Sequence, residues 1–283
     1  VGDSTGKNIT TAVRNTIIGG LAGDAITTGG DNVVLGYNSL GSNTIGNSNV
    51  AIGKDAMTVN VAADRNVAVG LGSLQNMTSA TTLDMYNTAV GYYTGNSISS
   101  GKQNTLIGGL AGDALTDADR NVAVGYLALS TETSGYRNVA IGTEALMTQD
   151  GGNYNTAIGD SAGESITTGD NNAIVGGLAG DAITTASENV LIGYDSGGAL
   201  TLGGSNVAIG AYALNAETEH GRNVAVGHEA LGALNAGAHA YNVAVGYDAG
   251  KNVTTGVQNT ILGAQAGDAL TTGNHNVAIG FRA

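Results

Sequence analysis

The side chains of this 283-residue chain that could do chemistry are few: four histidines, 23 carboxylates, ten basic groups and no cysteine. His220, His228 and His239 lie close together in sequence, with Glu219 and Glu229 beside them, and His275 stands apart. Convergence of such imidazoles and carboxylates would make a metal site. Asp24, Asp113, Asp181 and Asp268 each follow an Ala-Gly pair and could recruit calcium, but the calcium-binding nonapeptide pattern is missing. The turn-forming habit of aspartate is the simpler account. Paired threonines recur at Thr10-Thr11, Thr27-Thr28, Thr167-Thr168, Thr184-Thr185, Thr254-Thr255 and Thr271-Thr272. A flat array of them would suit ice, yet adjacent strand residues point to opposite faces and many stretches lack the pair. No Gly-Lys-Ser/Thr loop follows a strand, and no Ser–His–Asp arrangement stands out. The expectation is a chain without catalytic residues, cofactor or metal.

What, then, do the remaining residues build? Glycine numbers 47, while Pro, Cys and Trp are absent and Phe occurs once, so few large side chains exist to fill a globular core. Charged residues make up only 12%, which argues against charge-driven disorder. A formal net charge of −13 with only ten Lys and Arg disfavours nucleic acid and anionic membranes as partners. No apolar run approaches the ~20 residues of a membrane span.

The organisation is a repeat. Asparagine, three apolar residues and glycine recur from Asn15 and Gly19 through Asn32 and Gly36, Asn121 and Gly125, Asn138 and Gly142, Asn155 and Gly159, to Asn276 and Gly280. The interval is seventeen throughout except twice: twenty-one from Asn66 to Asn87, and nineteen from Asn223 to Asn242. Seventeen residues are too few for a helix pair and suit one coil of a β-solenoid. With Asn as position 1, positions 2 to 4 read as a strand, and Gly at position 5 as a turn. A stacked Asn ladder along the coils is expected. The three neighbouring histidines fall at three different repeat positions, which favours surface placement.

Positions 9 and 12 are coupled. Gly23, Gly112, Gly180 and Gly267 accompany Ile26, Leu115, Ile183 and Leu270, whereas Leu40, Met57, Leu129, Leu146 and Leu214 accompany Asn43, Asn60, Glu132, Gln149 and Glu217. Two positions filling one space explain this. If positions 2 and 4 face inward, position 3 faces outward. Ala123, Ala140, Ala157, Ala208, Ala225 and Ala244 then form an exposed stripe, and such a stripe implies an oligomer interface.

The strand motif resembles that of trimeric autotransporter adhesin heads. The fuller units at 155–171 and 242–258 resemble the seventeen-residue repeats of phage tail-fibre-like proteins. The resemblance spans essentially the whole chain and implies a parallel β-roll, a homotrimer and an extracellular, virion or cell-surface setting. Val1-Gly2 and Phe281-Arg282-Ala283 fall mid-repeat, which suggests a piece of a longer fibre.

The expectation is thus an all-β parallel β-solenoid of about sixteen coils, a single repetitive segment over residues 1–283, forming an intimate homotrimer. Its expected work is structural and adhesive: a phage tail fibre or related host-recognition fibre, or alternatively the head of a bacterial trimeric adhesin. An ice-binding solenoid is the outsider. Contacts with a glycan or protein receptor would come from Tyr37, Tyr92, Tyr126, Tyr194 and Tyr247 at position 6, and from Met77, Asp84 and His239 in the two longer coils.

Overall fold

The computed structural model describes residues 2–78 and 81–283. Val1 and the Ser79-Ala80 pair of the longer insertion lie outside the described residues. The chain divides into two compact units, Val1–Ala140 and Ile141–Ala283. Each is a parallel β-solenoid with one three-residue strand per coil, and no helix forms among the described residues. Together they hold about fifteen turns at seventeen-residue spacing. In the first unit these strands run from Thr16–Ile18 to Val122–Val124, and in the second from Thr156–Ile158 to Val277–Ile279; Val139–Ile141 contains the division. Pairing is in register by one coil, Thr16 with Val33 in the first unit and Ala208 with Ala225 in the second. A small second sheet in the first unit pairs Ala63–Asp64 with Leu83–Asp84.

The asparagines explain the period. Asn32 donates its backbone N–H to Asn15 Oδ1 at 2.9 Å and its Nδ2 to the Gly46 carbonyl at 3.0 Å. Each Asn therefore binds the next coil and also closes its own. The same pair of bonds recurs at Asn121, to Asn104 Oδ1 at 2.9 Å and the Gly135 carbonyl at 2.8 Å. Direct amide-to-amide bonds are added in places, as from Asn172 to Asn155 at 3.1 Å. The ladder is thus mainly side chain to main chain. Gly36 shows why position 5 is glycine: φ is +137°, and a Cβ there would lie 2.5 Å from the Gly53 carbonyl oxygen one coil on.

The orientation expected for the strands is reversed. Asn32, Asn121 and Asn155 are fully buried, so their side chains point into the coil. Period-two alternation then puts position 3 inside with them and positions 2 and 4 outside. Ala123, Ala140, Ala157, Ala208, Ala225 and Ala244 are each 0% exposed and belong to the core, not to an interface. The outer columns are instead Val and Thr at position 2 and Val, Ile and Leu at position 4, with Ile107, Ile158 and Ile192 among the exposed residues.

This corrected phase enlarges the volume rule. A Cβ on Gly112 would lie 2.7 Å from Leu115 Cδ1 and 2.9 Å from Leu106 Cδ2. Positions 3, 9 and 12 therefore share one space, which is why Leu129 coexists with Ala123 and Glu132. Polar residues at position 12 are buried but satisfied by the turn that follows. Asn43 Oδ1 accepts the Gly46 N–H and its Nδ2 donates to the Gly46 carbonyl, both at 3.0 Å. Glu132 Oε1 accepts the Ser134 N–H at 3.0 Å.

The two longer coils break this rule in the same way. Leu74 with Met77, and Leu231 with Leu234, are large at both positions and all fully buried. The extra residues accompany a fuller core. Met77 is therefore a core residue and not a receptor contact, because it occupies position 12 ahead of the insertion proper.

Two outcomes follow. Gly112→Leu alone should cost about 1–3 kcal/mol by overpacking besides the strain of a Cβ at φ +56°, and adding Leu106→Ala and Leu115→Gln should restore most of the overpacking part in denaturant titrations. Equal midpoints for the single and triple variants would refute the shared-space account. Asn189→Ala removes bonds to the Gly203 carbonyl and Asn172 Oδ1 and strands the Asn206 N–H. It should cost about 3 kcal/mol, read by the same titration.

Candidate functional site

The turn after the strand carries the most organised surface chemistry, in the second unit. Position 6 bears Tyr194, Ala211, His228 and Tyr247 in successive coils, and position 7 bears Asp195, Tyr212, Glu229 and Asp248. Tyr212, Glu229 and Asp248 have φ of 59°, 51° and 55°. This left-handed backbone follows directly on the glycine turn. Where Ala211 interrupts the aromatic column, Tyr212 supplies the ring from the neighbouring position.

A row of four rings results. Tyr194 and Tyr212 meet edge to face at 5.6 Å, Tyr212 and His228 at 6.1 Å, and His228 stacks on Tyr247 at 5.2 Å with 11° between planes. Beside the row lies a cavity of about 270 Å³ lined by Tyr212, Asn215, Glu229, Gly232, Ala233, Lys251 and Asn252. Lys251 forms an ion pair with Glu229 across two coils. The hydrogen bond to Glu229 holds the Lys251 ammonium above its ordinary pKa, against a smaller opposing effect of burial. Aromatic faces beside paired carboxylate and ammonium groups can take an amphipathic ring-shaped ligand, stacking its apolar side and hydrogen-bonding its hydroxyls.

Acidic residues flank the row. Burial pushes the Asp181 carboxyl above its ordinary range, and the charges of Asp195 and Glu164 push the same way, while backbone N–H groups of Asp181 and Ala182 pull back. Those N–H bonds fit a turn role for position 10.

The tyrosines named from the sequence separate into groups. Tyr37, Tyr92, Tyr126, Tyr194 and Tyr247 are all exposed. Only Tyr194 and Tyr247 enter the row of rings. Tyr37, Tyr126 and Tyr194 also lie over position-6 glycines of the preceding coils, Gly20, Gly109 and Gly177, which supports the turn-covering role. Tyr92 meets Tyr93 edge to face at 4.6 Å. Tyr212 and Lys251 escaped the sequence reading because they stand at positions 7 and 10, not 6, and Glu229 entered it only as a carboxylate beside the histidines. The alanine at Ala211 beside a tyrosine was the available signal.

The insertion residues lie on another edge of the coil. Asp84 pairs with Arg65 and accepts the Tyr86 hydroxyl at 3.2 Å. His239 is exposed, and its Nδ1 accepts the Gly221 N–H at 3.3 Å. His239 meets His220 and Tyr241, each at 6.3 Å between centroids. His228 is therefore separated from the other two clustered histidines. Compared with known protein families, curated proteins and solved structures, the chain matches none.

The pH behaviour of Asp181 has a definite sign. Its raised folded pKa means that stability falls as pH rises from the ordinary aspartate value through the folded one. Asp181→Asn should melt higher than the parent at pH 7, with the difference shrinking as pH approaches about 4. A gap that widens on acidification would contradict the assignment.

Proposed function

We propose that this chain is a segment of an extracellular host-recognition fibre of the phage tail-fibre kind, working as a homotrimer in a structural and adhesive role. The observation that carries this reading is the outer face of the strands. In each unit, position 4 presents an apolar column, coil after coil, with Ile107, Ile158 and Ile192 at 42%, 37% and 39% exposure, beside a column of mostly Val and Thr at position 2. Covering such a residue contributes on the order of 1 kcal/mol, and every coil adds its share. The columns repeat in register and offer the same surface on every copy, so a lengthwise contact between copies suits them better than a small or irregular partner. On this reading the threefold seam would run along the Val/Ile columns, since the alanines are buried inside each coil.

The adhesive half of the reading rests on the row of rings, which suits a cell-surface glycan. The in-register Asn–apolar–Gly strands equally favour a second reading, the head of a bacterial trimeric adhesin.

Light scattering at several concentrations should give a persistent mass three times 27.9 kDa. Replacing Ile158 and Ile192 together by lysine should shift that mass toward 27.9 kDa while the β-sheet circular dichroism is retained. A parent chain that stays monomeric at all concentrations would sink the trimer and leave the apolar columns without their assigned partner.

A further inference from the structure

His228 and Glu229 follow the strand Val224–Val226 in the nineteen-residue coil, and Asp248 stands one coil on at the position equivalent to Glu229. One ligand atom from each of the three lies within 4.8 Å of the other two. His228 Nδ1 and Asp248 Oδ1 face each other at 3.6 Å, beyond hydrogen-bond distance. Both atoms are shielded from solvent, and neither has a hydrogen-bond partner. Stacking on Tyr247, with 11° between planes, holds the plane of the imidazole.

Two buried polar atoms aimed at one another without a bond are costly and call for a third party. Their spacing suggests which. Ligands about 2.1 Å from a tetrahedral centre are separated by about 3.4 Å along each edge, close to the 3.6 Å between His228 Nδ1 and Asp248 Oδ1. A calcium ion would need six to eight oxygen ligands, and this cluster offers one imidazole and two carboxylates. That mixed donor set is the one zinc and its neighbours take. The His228 side chain as a whole is 41% exposed, which provides an entry path.

We propose that His228 Nδ1, Asp248 and Glu229 bind a divalent transition-metal ion of the zinc class, which staples the nineteen-residue coil to the coil that follows it. The location has a physical rationale. Coil lengths differ here, the ladder bond from the Asn242 N–H to Asn223 Oδ1 is 3.2 Å against 2.9 Å for the next one, and a metal bond between coils supplements it. Lys251 is the counterweight: its ammonium pairs with Glu229 and lies near Asp248, so it balances the carboxylates and opposes a second cation. This inference is independent of the fibre reading and would stand in a monomer.

The test uses the full chain, stripped with chelator and titrated with Zn²⁺ by calorimetry and with Co²⁺ by visible absorption. One ion per chain, an intense tetrahedral cobalt spectrum and a thermal midpoint that rises with Zn²⁺ and falls back with chelator are expected. His228→Ala and Asp248→Asn should each weaken binding on the order of tenfold or more, and Lys251→Met should tighten it. The two ligand variants cover each other should one fold poorly, and circular dichroism checks both. Absence of binding at millimolar Zn²⁺ would overturn the proposal. So would parental affinity in both ligand variants, which would put the ion elsewhere, for instance at His220 and His239. A melting curve indifferent to Zn²⁺, with His228→Ala destabilising only at acidic pH, would identify an imidazolium–carboxylate pair instead.

Discussion

One side chain per coil, turned inward, fixes the rest. Asn15 and its equivalents use their amide oxygen to take the backbone N–H of the next coil, and their amide nitrogen to close their own. Such a buried amide is stable only if both ends are bonded, and removing either partner exposes an unsatisfied group in a dry interior. The seventeen-residue spacing delivers those partners coil after coil. With the Asn pointing in, strand alternation dictates that position 3 is core and positions 2 and 4 are surface. The apolar outer face is thus a consequence of where an amide has to be.

The interior enclosed by these coils is narrow, and its filling is a problem in volume. A large residue may come from position 3, 9 or 12, and one choice restricts the others. The buried acids and amides at position 12 follow from this. When Leu214 fills the space, Glu217 reaches past it to the surrounding backbone, its Oε1 taking the His220 N–H and its Oε2 the Ala236 N–H, both at 3.1 Å. The same glutamate therefore pins the longer coil that comes next. Coil length and core volume change together, since both longer coils bury a large residue at position 9 and another at position 12.

The repeat, the fold class, the glycine turns and the coupling of positions 9 and 12 were all legible in the sequence, because each depends on residue type at a fixed interval. The phase of the strand was not. Positions 2, 3 and 4 are all apolar, so no polar residue marks the wet side, and the burial of Asn decides it. Met77 was misread for a related reason: an insertion in the sequence does not say which of its residues still belong to the core. The row of rings was half visible, since Tyr194 and Tyr247 share a position but Tyr212 is displaced by one. The Lys251–Glu229 pair spans twenty-two residues, which no seventeen-residue comparison reveals.

The left-handed backbone of position 17 carries side chains of every kind. Arg120, Arg137, Tyr154, Glu188, Ser205 and His275 all occupy position 17 with φ between 57° and 64°. The cost of the left-handed conformation arises at Cβ, about 1–2 kcal/mol, and is nearly the same whichever of these side chains lies beyond it. The backbone therefore does not discriminate among arginine, tyrosine, glutamate and histidine there. Such positions act as a rack of interchangeable pegs on an invariant frame. Their chemistry can be rewritten one peg at a time, without renegotiating the ladder or the core beneath.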